Sequence, residues 1–321
     1  MERQLLPEQG GSPGKYCERR WGFLAAIIGL LLGFGSTLYR LTRFAAESEL
    51  YSYILLMPFV SLYLVWLKRR NLPVFSEPSR ILAAVFLAAG SAVLAIYWLV
   101  DRSTARLMID DRLAFTTFSF FLYFLGVCCF FVGRHILGHL VFALGLLVFI
   151  VPIPAPLMKG VEIFLQYGSA LIAEGLFVIS GTTFSREDLL FQLPGISIEV
   201  APECSGIHSS LVLFITSLLA GYFFLRSPGK RVALTLAVIP LALLRNGFRI
   251  FTIGQLCIHI GPEMINSVIH RKGGPLFFGL SLIPFLLLLY LLQKAERAKS
   301  KRRAASTPNG KPAGNLSGSN G

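Results

Sequence analysis

Residues 113–151 read LAFTTFSFFLYFLGVCCFFVGRHILGHLVFALGLLVFIV, two apolar runs separated by one formally charged residue, Arg134. Each run approaches the ~20 predominantly apolar residues a helix needs to cross the hydrocarbon core of a bilayer. Outward from this pair, comparable runs lie at 22–39, 50–67, 81–100, 207–225, 231–250 and 274–292. Eight spans are expected. The composition agrees: of 321 residues 54% are hydrophobic and only 15% charged, which is incompatible with a disordered chain or an ordinary water-soluble globule. Lys+Arg exceed Asp+Glu by 30 − 17 = 13, yet the basic residues fall in short clusters between apolar runs. That pattern belongs to cytoplasmic membrane loops and not to a nucleic-acid surface.

Charge also orients the chain. Lys68-Arg69-Arg70 with Arg80, Arg134, Arg226 with Lys230-Arg231, and Lys294 through Arg303 all fall on one side if both termini are cytoplasmic. The opposite loops carry mixed signs, at Glu47-Ser48-Glu49, Asp101–Arg112 and Arg186-Glu187-Asp188. One further apolar stretch, 156–180, would turn the Arg226–Arg231 cluster outward if it spanned. Lys159, Glu162, Gln166, Ser169 and Ala173 recur there at helical spacing, so an amphipathic helix along the outer interface is expected. Beyond it, Pro194-Gly195 marks a turn, and Ile196–Val200 alternate as a short strand or hairpin does. The fold class is therefore all-α: a polytopic transmembrane helical bundle of about eight spans plus an outer interfacial helix. Residues 1–20 read as a disordered cytoplasmic leader, 21–293 as the transmembrane domain, and 294–321 as a disordered basic cytoplasmic tail.

Three residues on the outer side carry chemistry. Cys204 precedes a Gly206-marked helix start, where the positive end of a helix dipole favours the nucleophilic thiolate. A small buried cysteine at a helix cap accounts for the same position. Arg249 lies about 27 Å along the seventh span at 1.5 Å per residue, near the outer surface. Ionisable residues inside a span are costly and mark functional sites, although snorkelling to the headgroups also accounts for Arg249. Arg245, one turn deeper, is expected to pair inside the bundle. His270 stands in the loop before the last span, where a lone histidine is equally well simply solvated. His208 follows Cys204 by four residues, and His259 shares the loop with His270. The i, i+4 pair His135 and His139 lacks an obvious third ligand, and no CxxC pair exists among the five cysteines, so no metal is expected. Cys204 and Cys257 are the two cysteines on the outer side, where an oxidising compartment permits a disulfide.

The boxes Cys204-Ser205-Gly206-Ile207 and Asn246-Gly247-Phe248-Arg249, followed by His270, resemble those of the exosortase/archaeosortase family of polytopic membrane cysteine transpeptidases. The resemblance covers roughly 45–292 and is tightest from Val200 to Gly274. Tyr51-Ser52-Tyr53…Pro58…Tyr63…Trp66…Arg69-Arg70 is similar to the family's second span, except that Tyr53-Ile54 replaces a frequent His-Gly pair. The resemblance implies Cys204, Arg249 and His270 as catalytic residues, without cofactor or metal. It also implies exported protein substrates whose C-terminal signals combine a Pro-Glu-Pro-type motif, a hydrophobic helix and a basic cluster. These would be cleaved on the outer face of the inner (cytoplasmic) membrane and transferred to an amine or to water. A transporter or channel lined by Arg245 and Arg249, and an acyl- or polysaccharide-modifying membrane transferase using His270, are the alternatives from other classes.

Overall fold

The computed structural model describes residues 13–71, 78–102, 108–202, 205–266 and 274–305. It is mostly helical. Six of its helices are long and apolar enough to cross a membrane, or seven if one bent pair counts as a span. The bent pair is α1 (Pro13–Gly33) and α2 (Gly35–Glu47), which meet at 65° on either side of Phe34. Glycines flank the break, and glycine is a poor helix former. Of the eight expected spans, 50–67 appears as α3 (Tyr53–Lys68), a shorter apolar helix. Likewise 135–151 appears as α6 (Arg134–Leu146) with a 3₁₀ turn, Leu147–Ile150, before Pro152. Proline cannot continue the helix, which ends that run early.

The chain divides into two compact units, 1–160 and 161–321. In the first, α4 (Arg80–Arg102) and α5 (Ile109–Phe131) form an antiparallel pair. Ser119 Oγ donates to the Gly90 carbonyl at 2.9 Å, and Ser91 Oγ and Tyr123 OH lie 2.7 Å apart. A Cβ on Gly126 would stand 2.9 Å from Leu87 Cγ. Small residues and hydroxyls thus hold the two backbones close, as lipid-embedded helices require when no water competes for their polar groups. α3 runs against α6 through Ser61 Oγ to the Ala143 carbonyl, 2.8 Å, and Lys68 Nζ to the His139 carbonyl, 2.6 Å.

The second unit begins within α7 (Ala155–Ile179) and continues with a three-stranded antiparallel sheet in the order β1 (Ser185–Glu187), β2 (Leu190–Leu193), β3 (Ile196–Glu199). Gly195, at φ +81°, supplies the left-handed position of the β2–β3 turn after Pro194, as a type II turn requires. Helices α8 (Ile207–Phe224), α9 (Pro228–Leu236), α10 (Val238–His259) and α11 (Gly274–Ala305) follow. The basic stretch from Lys294 to Arg303 is part of α11, so the expected boundary at 293 is not a helix end. Residues 1–12 and 306–321 lie outside the described residues, whereas 13–20 already belong to α1.

α7 packs lengthwise on α10. Gly168 meets Leu243, Ser169 and Ile172 meet Gly247, and Phe177 meets Gly254, so α7 runs alongside α10 in the same direction. Of its polar row, Gln166, Ser169 and Ala173 are buried, whereas Lys159 is exposed and Glu162 half-buried; Leu171, Val178 and Ile179 are exposed. Length and apolarity place it among the six candidate spans. Ser169 of that row serves the packing of α7 on α10.

Gly247 meets backbone as well as side chain: a Cβ there would stand 2.6 Å from Ile172 Cγ2 and 2.9 Å from the Ser169 carbonyl oxygen. Gly247→Ala is therefore expected to destabilise the protein by about 1–3 kcal/mol, the usual penalty of overpacking. Gly175→Ala, with open space around it, should not. Thermal unfolding in detergent checks this, and equal midpoints for the two variants would contradict the close approach.

Candidate active site

The site is built at the start of α8. Gly206 caps that helix with φ +69° and ψ 18°, a left-handed conformation that side chains disfavour. Just before it, the Ser205 N–H donates to the Pro202 carbonyl at 3.0 Å, and Ser205 is buried. The Gly206 carbonyl then accepts from the Ser210 N–H at 3.0 Å, Ser210 Oγ at 2.8 Å and Ser209 Oγ at 3.1 Å. A fourth donor comes from another helix: Arg245 Nη2 reaches the same oxygen at 2.9 Å and Ser210 Oγ at 3.0 Å. Arg245 is 8% exposed, and the buried Asn246 beside it lies against Gly206, its Oδ1 3.2 Å from where a Cβ would stand. The sequence expectation that Arg245 pairs within the protein holds, and its partner is the backbone of the Cys-Ser-Gly-Ile box.

The other end of the same segment is tied from α7. Gln166 Nε2 donates to the Val200 carbonyl at 2.8 Å, with both residues buried. Val200 continues β3, and its N–H donates to the Leu189 carbonyl at 3.0 Å. The sheet packs on the ends of α7 and α10 through Phe177, Phe191, Ile198 and Ile253. Arg186 of β1 pairs with Glu174 of α7. Gln255 of α10 donates to Thr182 Oγ1 at 2.7 Å and meets His259 at 3.1 Å. The sheet thus braces the chain that leads into the box.

Of the three expected catalytic residues, Arg249 is described; Cys204 and His270 lie outside the described residues. Arg249 sits half-buried one turn beyond Arg245 on α10. It is not at the end of its helix: α10 continues for ten more residues to His259, about 15 Å at the usual rise. Thr252, Gln255 and His259 ended the apolar run in the sequence but not the helix. His208 is exposed, and Cys257 is buried in the core. In the first unit His139 Nδ1 lies 2.9 Å from the His135 carbonyl. Among the described residues no three His, Cys, Asp or Glu side chains gather as a metal site needs.

Sequence reasoning missed Gln166 and Ser210 as parts of the site. Gln166 was visible as one of a polar row, but the row signalled a helix face and not a hydrogen bond to a strand 34 residues away. Chemically, the arrangement places one guanidinium on the box's backbone and a second one turn further along the same helix. It is electropositive, with no carboxylate paired to Arg245 among the described residues. Such a site suits a thiolate and a developing oxyanion.

A family model described as transmembrane exosortase (Exosortase_EpsH) matches residues 44–287. No curated protein and no solved structure matches the chain.

Gln166 provides a direct check of the brace. Gln166→Leu removes the donor to a buried carbonyl, and Gln166→Glu replaces it with a group that at neutral pH only accepts. Each should cost about 1–3 kcal/mol, the penalty of an unsatisfied buried acceptor. Limited proteolysis in detergent should then cut between 200 and 206 faster than in the parent protein; unchanged cutting in both variants would rule the brace out.

Proposed function

The chain belongs to the transmembrane exosortase family, whose members are membrane peptidases, and from that premise we propose that it cleaves and transfers C-terminal sorting signals by cysteine chemistry. It is an integral membrane protein of multiple spans. The observation that carries the mechanism is the bond from Arg245 Nη2 to the Gly206 carbonyl, 2.9 Å. It joins Gly206 of the Cys-Ser-Gly-Ile box to Arg245, 39 residues on and just before the Asn-x-x-Arg box.

In the proposed reaction the Cys204 thiolate attacks the carbonyl carbon of the scissile peptide bond. Negative charge moves to the carbonyl oxygen, where the Arg249 guanidinium meets it. Collapse breaks the C–N bond, and His270 gives its proton to the leaving amine, which departs with the substrate's membrane helix. The acyl group stays on Cys204 as a thioester. An amine acceptor or water then attacks that thioester, gives up a proton to His270, and releases the Cys204 thiolate. A substrate anchored by its own helix presents the scissile bond at a fixed depth, which favours an enzyme built into the same bilayer. The substrates are exported proteins with a Pro-Glu-Pro-type motif, a hydrophobic helix and a basic cluster. The membrane is the inner (cytoplasmic) one. Arg226–Arg231 and the tail of α11 lie on the cytoplasmic side, and the sheet and the start of α8 on the outer side, by the Lys/Arg bias.

The test is release of a tail-sized fragment from a signal-bearing reporter in membranes holding each variant at matched abundance. Cys204→Ala should abolish release, and His270→Ala should impair it severely. Arg249→Lys should lose roughly a hundredfold to a thousandfold, as for one oxyanion donor, because an ammonium does not reproduce the planar fork. Near-normal release by Cys204→Ala would end the cysteine mechanism. For orientation, cysteines at the exposed positions Ser185 and Ala298 serve in a Cys204→Ser background. A membrane-impermeant thiol reagent should label Ser185→Cys on intact cells and Ala298→Cys only after permeabilisation. The reverse pattern would invert the topology.

A further inference from the structure

Arg245 is the buried charge that the reaction above leaves without a task. It lies 8% exposed on a helix long enough to cross the membrane, and no carboxylate pairs with it among the described residues. Burying a cation costs several kcal/mol unless good hydrogen bonds repay it. Both contacts recorded for Arg245 are made by one nitrogen, Nη2, to the Gly206 carbonyl at 2.9 Å and to Ser210 Oγ at 3.0 Å. Its other terminal nitrogen, Nη1, is buried without a hydrogen-bond partner. A side chain needed only to fill space between α8 and α10 would do so better as Leu or Met.

The target of Nη2 is the Gly206 carbonyl. Gly206 stands two residues after Cys204, so their Cα atoms are at most about 7 Å apart. Its φ of +69° sets the direction in which the chain enters α8. The carbonyl that Arg245 holds already accepts from three groups of α8 itself. A fourth, charged donor from α10 therefore adds little to helix formation. What it adds is a fixed placement of that turn relative to the helix carrying Arg249.

We propose that Arg245 is a positioning residue: it locks the left-handed turn at Gly206 against α10 and so holds the Cys204 segment in register with Arg249. This rests on the cysteine mechanism proposed above. Arg245 itself does not touch the reacting atoms. Its removal should lower the rate of the bound complex while leaving substrate capture, which the substrate's own helix governs, nearly intact.

The experiment uses the full chain in membranes with the signal-bearing reporter at varied density. Arg245→Met should lower kcat by about tenfold to a hundredfold, the scale of one lost charge-assisted hydrogen bond, with KM changed less than about twofold. Arg245→Lys keeps a charged nitrogen of somewhat shorter reach and should recover most of that loss. Gly206→Ala puts a Cβ 2.9 Å from Arg245 Nη2 at a strained φ, so it should reproduce the kcat loss by displacing the same contact. The double variant Gly206→Ala/Arg245→Met should be no more than about twofold worse than the poorer single, because both act through one interaction. Arg245→Met at matched abundance with kcat within about twofold of the parent would overturn the proposal, since the expected loss is at least tenfold. If Arg245→Met does not accumulate, Gly206→Ala with unchanged kcat overturns it equally. Fully multiplicative losses in the double variant would do the same. Cys204→Ser separates the two readings: if it remains active, the cysteine mechanism fails whatever the Arg245 variants do.

Discussion

Two helix backbones lie against each other in the second unit, and much of that unit follows from their contact. Gly247 has no side chain where α10 meets the Ser169 carbonyl of α7, and Gly168 and Gly254 admit Leu243 and Phe177 one or two turns to either side. Within a bilayer, apolar side chains gain nothing by leaving lipid for protein, so close backbone packing and internal hydrogen bonds must hold helices together. Once α7 and α10 are joined lengthwise, their far ends form a platform for the three-stranded sheet. Gln166 then faces the end of β3, and Arg245 and Asn246 face the start of α8. Val200 is thus held from α7 and Gly206 from α10.

Each hold uses a different kind of group. Gln166 is neutral and satisfies a buried carbonyl at modest cost. Arg245 brings charge into the protein, and Arg249 repeats it a turn later. Two guanidiniums on one face of a helix repel, so such a face is stable only where backbone carbonyls, or the charge of a ligand or reaction intermediate, oppose them. The Gly206 carbonyl is one such partner. In the proposed reaction the tetrahedral oxyanion is another, formed only for the moment it is needed.

The helical fold was legible because lipid exposure demands unbroken apolar runs. The runs at 81–100, 113–132, 207–225 and 274–292 correspond to α4, α5, α8 and α11. Pro194-Gly195 and the alternation at Ile196–Val200 announced β3 and its turn. Hydropathy failed where a helix continues out of an apolar environment. α10 runs past Ile250 to His259 because the sheet supports it, and α11 runs through its basic stretch to Ala305. At Gln166 and Ser169 periodicity located a polar face without saying what covers it. The break at Phe34 was hidden because Gly33 and Gly35 are tolerated within an apolar run. The reach of Arg245 to a backbone oxygen 39 residues away left no trace in spacing at all.

The β2–β3 turn has a practical use. Pro194 and Gly195 are exposed, nothing lies within 4 Å of a Cβ at Gly195, and the core residues Phe191 and Ile198 are three residues away on either side. Lengthening a surface loop is entropically cheap, about 0.6 kcal/mol for each doubling. A short epitope or a fluorophore-accepting peptide spliced between Pro194 and Gly195 would therefore ride on a rigid support without entering the core. It would offer an antibody or a dye a handle on the protein in living cells, one that reports abundance and sidedness together while the start of α8 remains untouched.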